Sequence, residues 1–101
     1  MLEQTATFKD IVEKDFSTLD LYTTAITRAH GKNHPEVFEV REVFEVMKLK
    51  IETEGIKDSN LEPEFAQLRN ITNNYYIPED VCETFEGVYN MLAEADKEYH
   101  S

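Results

Sequence analysis

The chain contains three histidines, and two of them, His30 and His34, stand four residues apart. Imidazoles at that interval can share one metal ion when a single helix carries both. Gly31 and Pro35 argue against a single helix here, so the pair is read as bracketing a turn. Polar capping is the expected role of both rings, and metal binding by His30, His34 and the distant His100 is the alternative.

The carboxylates invite a similar question. Glu36, Glu39, Glu42 and Glu45 recur every three residues, but three residues fall about 60° short of a full helical turn, so the series winds around its helix. A solvated surface is expected instead of an acid/base pair, because the interleaved Val40 and Phe44 claim the core side. The single cysteine, Cys82, excludes an internal disulfide and a cysteine-based zinc site. Its flanking sequence VCETF offers no Lys, Arg or His, which predicts a buried structural thiol. Tyr75 and Tyr76 in NNYYIP lack interleaved basic residues and read as a packed loop, not a base-stacking platform. The sequence holds no Glu-x-x-His pair, phosphate-cradling glycine loop, Gly-x-Ser-x-Gly elbow or His-Glu-x-x-His motif. No catalytic or cofactor-binding residue is assigned, and the chain is read as non-enzymatic.

The elements that must position these groups follow from periodicity and punctuation. Three glycines and three prolines leave few turns and favour long helices. From Thr7 to His30, the residues Phe8, Val12, Leu19, Tyr22, Ile26 and Ala29 approach a three-four spacing, interrupted at Asp15. Thr7 with Asp10, and Ser17 with Asp20, both have N-cap spacing, so a kink or restart near Ser17 is allowed for. Pro35 opens a second helix whose Val37, Val40, Phe44, Met47 and Ile51 repeat until Gly55 stops it. A short third helix follows Lys57-Asp58-Ser59-Asn60, with Asn60 as cap, Pro63 in the first turn, and Phe65, Leu68 and Ile71 or Thr72 facing inward. The fourth opens at Pro78-Glu79-Asp80 and carries Val81, Phe85, Val88, Leu92, Ala95 and Tyr99 in a heptad-like stripe. Four amphipathic helices with short loops bury these stripes most simply as an up-down-up-down bundle.

A chain of 101 residues closes one modest core. With 10 Lys+Arg against 21 Asp+Glu and a net charge of -11, it repels phosphate backbones and anionic membranes. MLEQTATFKD has neither a basic leader nor an apolar one, and no run is long enough to span a bilayer, so a cytoplasmic protein is expected.

Two stretches carry more than composition: AHGKNHPEVFEVREVFEVM, from Ala29 to Met47, and LRNITNNYYIPEDVCETFEGVYNMLAEADKEYH, from Leu68 to His100. The motif HGxxHPE at the first interhelical turn and ITNNYYIPEDVC, from Ile71 to Cys82, followed by an aromatic and Val-Tyr keep a fixed order. In that order they resemble the C-terminal hemerythrin-like domain of the iron–sulfur cluster repair di-iron proteins, the Ric group. The resemblance implies a four-helix bundle. It would also imply a non-haem di-iron centre and repair of clusters damaged by nitric oxide or oxidants, if the ligands were present.

Residue by residue, most of them are not. The family's first-helix Tyr-His pair has no counterpart between Phe8 and Asp20, and its His-Met-x-Lys-Glu pair is replaced by Ile51-Glu52-Thr53-Glu54-Gly55-Ile56-Lys57-Asp58. The third-helix histidine also has no counterpart, because no histidine lies between His34 and His100. The closing His-x-x-x-Glu is not reached before His100-Ser101, and His100 resembles a histidine just ahead of that pair. The retained His30, Gly31, His34 and Pro35 are expected to support the interhelical turn.

The expectation is an all-α, hemerythrin-like four-helix bundle with a short third helix, acting as an accessory, non-enzymatic relative of the cluster-repair proteins. No cofactor is expected, with iron as the alternative in a non-standard carboxylate/His site. A general helical interaction module is the remaining reading. A homodimer is expected, because a short third helix leaves the ends of the long stripes uncovered, near Ile51 and from Leu92 to Tyr99. A further protein partner is allowed for; nucleic acid and membrane are not.

Overall fold

A computed structural model of the chain describes residues 7–101, so the reading of the leaderless N-terminus falls largely outside the described residues. Among them are four α-helices and no strand: α1 (Phe8–His30), α2 (Glu36–Glu54), α3 (Glu62–Ile71) and α4 (Glu83–Tyr99).

Helix α1 starts on a reciprocal capping box. The Asp10 amide donates to Thr7 Oγ1 at 3.2 Å and the Thr7 amide donates to Asp10 Oδ2 at 3.1 Å, satisfying two otherwise orphaned N–H groups. The break allowed for near Ser17 does not occur; α1 runs unbroken for 23 residues. Its inward face is Ile11, Asp15, Phe16, Leu19, Thr23 and Ile26, whereas Ala29 is exposed. Ile11 and Phe16 extend the predicted stripe, so Asp15 flanks the apolar face without ending it.

Gly31 follows α1 at a close approach: a Cβ there would lie 2.4 Å from the Thr27 carbonyl oxygen and 2.6 Å from the Phe38 ring. Pro35 caps α2, and Val37, Val40, Phe44 and Met47 are fully buried, as their spacing predicts, with Ile51 half-buried. The helix ends at Gly55, whose φ of 88° lies in the region that favours glycine.

Two starts differ from expectation. The N-cap of α3 is Leu61, not Asn60; Asn60 sits one residue earlier, where its Oδ1 accepts from the Glu62 amide at 3.2 Å. Helix α4 begins at Glu83, not near Pro78, and Val81 lies outside it while still touching the core. The Asp80 carboxylate is engaged by His34 and is not stationed at a helix end.

The connection before α4 carries three consecutive left-handed residues, Asn73, Asn74 and Tyr75, with φ of 55°, 61° and 62°. Asparagine tolerates this region; tyrosine pays a strain of order 1–3 kcal/mol. Offsetting it, the Tyr75 amide donates to Thr72 Oγ1 at 2.7 Å and the Tyr75 hydroxyl donates to Asp96 Oδ2 at 2.7 Å.

One apolar cluster joins all four helices. Phe44, Phe65, Phe85, Leu19, Leu68 and Leu92 are fully buried, and removing a ring of this size from such a core costs about 3–5 kcal/mol. At one end Phe8, Phe65 and Tyr99 meet edge to face or tilted. At the other, Phe85 stacks obliquely on Tyr89 with centroids 4.6 Å apart. Leu92 and Ala95, expected at an uncovered end of the α4 stripe, are fully covered within the chain. Among the described residues, the large apolar side chains left exposed are Leu21, Phe38, Val46, Leu49 and Tyr76. No helix among the described residues is long and apolar enough to cross a membrane.

Candidate functional site

His30 ends α1, Gly31 closes it by donating its amide to the Thr27 carbonyl at 3.1 Å, and His34 follows three residues later. The two rings lie on the same end of the bundle, 6.4 Å apart between centroids, and both contact the edge or face of Phe85. Neither acts as a helix cap through its side chain. Both reach across to the segment before α4: His30 Nε2 lies 3.2 Å from Cys82 Sγ, and His34 Nε2 donates to Asp80 Oδ1 at 2.9 Å.

His34 also donates through Nδ1 to Glu36 Oε2 at 3.1 Å. Both ring nitrogens therefore face acceptors, and only the imidazolium can satisfy both. The Asp80 hydrogen bond, with Glu36 adding to it, holds the His34 ring above its usual pKa, while Asp80 is held below the usual carboxylate value by His34.

Cys82 is exposed, which corrects the buried thiol expected from its flanking sequence. It is the N-cap residue of α4 in an extended conformation, φ -87° and ψ 174°, and it makes no capping hydrogen bond through its side chain. The histidine missing from its neighbourhood in sequence is supplied from 52 positions away.

His100 lies at the opposite end of α4. Its Nε2 donates to Glu62, and its Nδ1 faces the Asp96 carbonyl at 2.8 Å and Asp96 Oδ1 at 2.9 Å. The Glu62 contact, with the Asp96 backbone, raises its pKa above the usual histidine value. Asp96, almost buried, also accepts from Arg69 Nε at 2.9 Å and from the Tyr75 hydroxyl. His30 and His34 are thus brought together, and His100 belongs to a separate network linking α3 and α4. Sequence reading missed Asp96 as a hub; its only signal was an acid one residue past the apolar Ala95.

A di-iron centre, which the family resemblance would imply, needs inward carboxylates and histidines on facing helices. Here the inward positions are mostly apolar, among them Leu19, Ile26, Val40, Phe44, Phe85 and Leu92, and among the described residues no histidine is buried beside the carboxylates Asp15, Glu64 and Asp96. Glu64, nearly buried, pairs with Lys50 at 2.9 Å, and Asp96 is claimed as described. Among the described residues no three His, Cys, Asp or Glu side chains gather so as to hold a metal ion. This donor set does not fit a di-iron group. The one buried side-chain polar atom without a partner among the described residues is the Tyr89 hydroxyl, whose burial pushes its pKa up.

Comparison with known proteins finds no matching family model, no matching curated protein and no matching solved structure.

Proposed function

We propose that this chain is an accessory, non-enzymatic relative of the iron–sulfur cluster repair proteins, a hemerythrin-like bundle that works by protein contact without a normal di-iron site. The observation that supports this reading is the interior: aliphatic and aromatic side chains dominate it, and of its buried acids Glu64 is paired with Lys50 and Asp96 is shared by Arg69, Tyr75 and His100. An antiparallel course of α1 and α2, as an up-down-up-down bundle requires, is supported by two pairings that run in opposite directions along the two helices: Lys48 reaches Asp20 at 2.9 Å and Arg41 reaches Thr23 at 2.9 Å. The resemblance in AHGKNHPE and NNYYIPEDVC supplies the lineage.

A second reading, a metal held by carboxylates and His100, has one observation in its favour: His100 stands between Glu62 and Asp96. Metal analysis separates the two. Untagged protein from iron-supplemented cells should carry substoichiometric iron and no oxo-bridged di-iron absorption. About two irons per chain, removable by chelator, would overturn the accessory reading; their loss in His100→Ala would establish the second.

A further inference from the structure

We propose that Cys82 and His30 form a thiol–imidazole dyad that exchanges with small soluble disulfides, making Cys82 a site of reversible S-thiolation. This inference stands independently of the accessory reading, because it rests on one end of the bundle and requires neither a metal nor a lineage.

Thiols become nucleophiles where a base or cation adjoins them and solvent can reach the sulfur. Both conditions are met here. Cys82 is exposed, and its sulfur lies 3.2 Å from His30 Nε2. As the N-cap residue of a 17-residue helix it sits at the positive end of the α4 dipole. The sulfur is not tied up as a capping acceptor.

His30 is held for this role. Its ring meets the fully buried Phe85 edge-on, with centroids 5.3 Å apart, so it is seated on the core and does not swing freely in solvent. The neighbouring His34 is occupied by Glu36 and Asp80 and is not positioned to compete for the sulfur. An imidazole held between two carboxylates on one side and a thiol–imidazole pair on the other is an arrangement built from α1, the first interhelical turn and the α4 start. It is not a cysteine standing alone.

The chemistry balances without an external electron donor. His30 Nε2 accepts the Sγ proton as Sγ attacks one sulfur of R–S–S–R. The Sγ–S bond forms, the S–S bond of the reagent breaks, and the departing R–S⁻ takes the proton from His30. The products are the protein mixed disulfide and one R–SH. A second thiol reverses the exchange by the same route.

Glutathione disulfide is the probe, with the mixed disulfide followed by intact mass. The folded chain should react about tenfold or more faster than the same chain unfolded in urea, and Cys82→Ser should not react at all. His30→Gln should slow the folded reaction by about tenfold or more while circular dichroism melts stay close to the parent. If that variant melts early, His30→Gly with added imidazole replaces it. Recovery of rate in proportion to imidazole supports the dyad. A folded rate no greater than the unfolded one, or a folded His30→Gly whose rate ignores imidazole and equals that of the parent, would overturn it.

Discussion

The Tyr75 hydroxyl donates to Asp96 Oδ2 at 2.7 Å from a backbone held at φ 62°, so a residue in an unfavourable conformation is anchored by a carboxylate 21 positions away. Asp96 also collects Arg69 and His100, which makes it the joint between the end of α3, the left-handed turn and the last turn of α4. Tyr75→Phe keeps the ring and the backbone and removes only the donor. It should cost about 1.5–3 kcal/mol in urea unfolding, as expected for a hydrogen bond to a charged group. A loss below about 0.5 kcal/mol, the scatter of ordinary surface changes, would mean that packing alone holds the turn.

Stability should depend on pH in a direction set by the two bridged histidines. His34 and His100 have folded pKa values raised above 6.5, so their contribution is fully present below 6.5 and is lost as pH rises through the raised values. Asp20, paired with Lys48 and Arg41, and Asp80, paired with His34, are lowered below 3.8. Their contribution is present above 3.8 and is lost as pH falls through the lowered values. Melting temperature should therefore decline on the alkaline side of 6.5, and the decline should flatten in His34→Gln,His100→Gln. An equal decline in parent and double variant would assign it to other groups.

Two glycines should respond oppositely to the same substitution. At Gly31 a Cβ meets the Thr27 carbonyl at 2.4 Å, and backbone cannot yield as a side chain can. Gly31→Ala should destabilise by about 1–3 kcal/mol. Gly87 lies inside α4 with nothing within 4 Å of an added Cβ. Gly87→Ala should stabilise by about 0.5–1 kcal/mol through lower backbone entropy in the unfolded chain. Thermal melts of the two variants moving in the same direction would contradict the local geometry.

Self-association is expected through the outer face of α2. Phe38 and Leu49 are exposed and lie about three turns apart on one side of the helix. A two-fold pairing of this face covers both in one contact. Sedimentation at micromolar concentration should give a species above 11.8 kDa that reverts toward the monomer in Phe38→Ser,Leu49→Ser. A parent species fixed at the monomer mass across concentration and salt would rule the pairing out.

Much of the framework was legible in the residues themselves. The Thr7–Asp10 box, the Gly31 and Gly55 stops and the inward α2 stripe from Val37 to Met47 are all set by interactions within about four residues, the range over which helix periodicity and capping act. The α4 start at Glu83 was not legible, because Pro78-Glu79-Asp80 has the composition of a first turn and only contacts from the first interhelical turn divert Asp80. Nor was the exposure of Cys82, whose neighbours in sequence carry no base. The His34–Asp80 and His30–Cys82 contacts span 46 and 52 residues. Such pairs have no local pattern; they exist only once burial of the apolar stripes has brought the end of α1 beside the start of α4. The sequence by itself determined which segments are helical and most of what they bury. The tertiary structure decided which polar groups meet, because side-chain partners at that separation are chosen by how the helices pack and not by the chain that joins them.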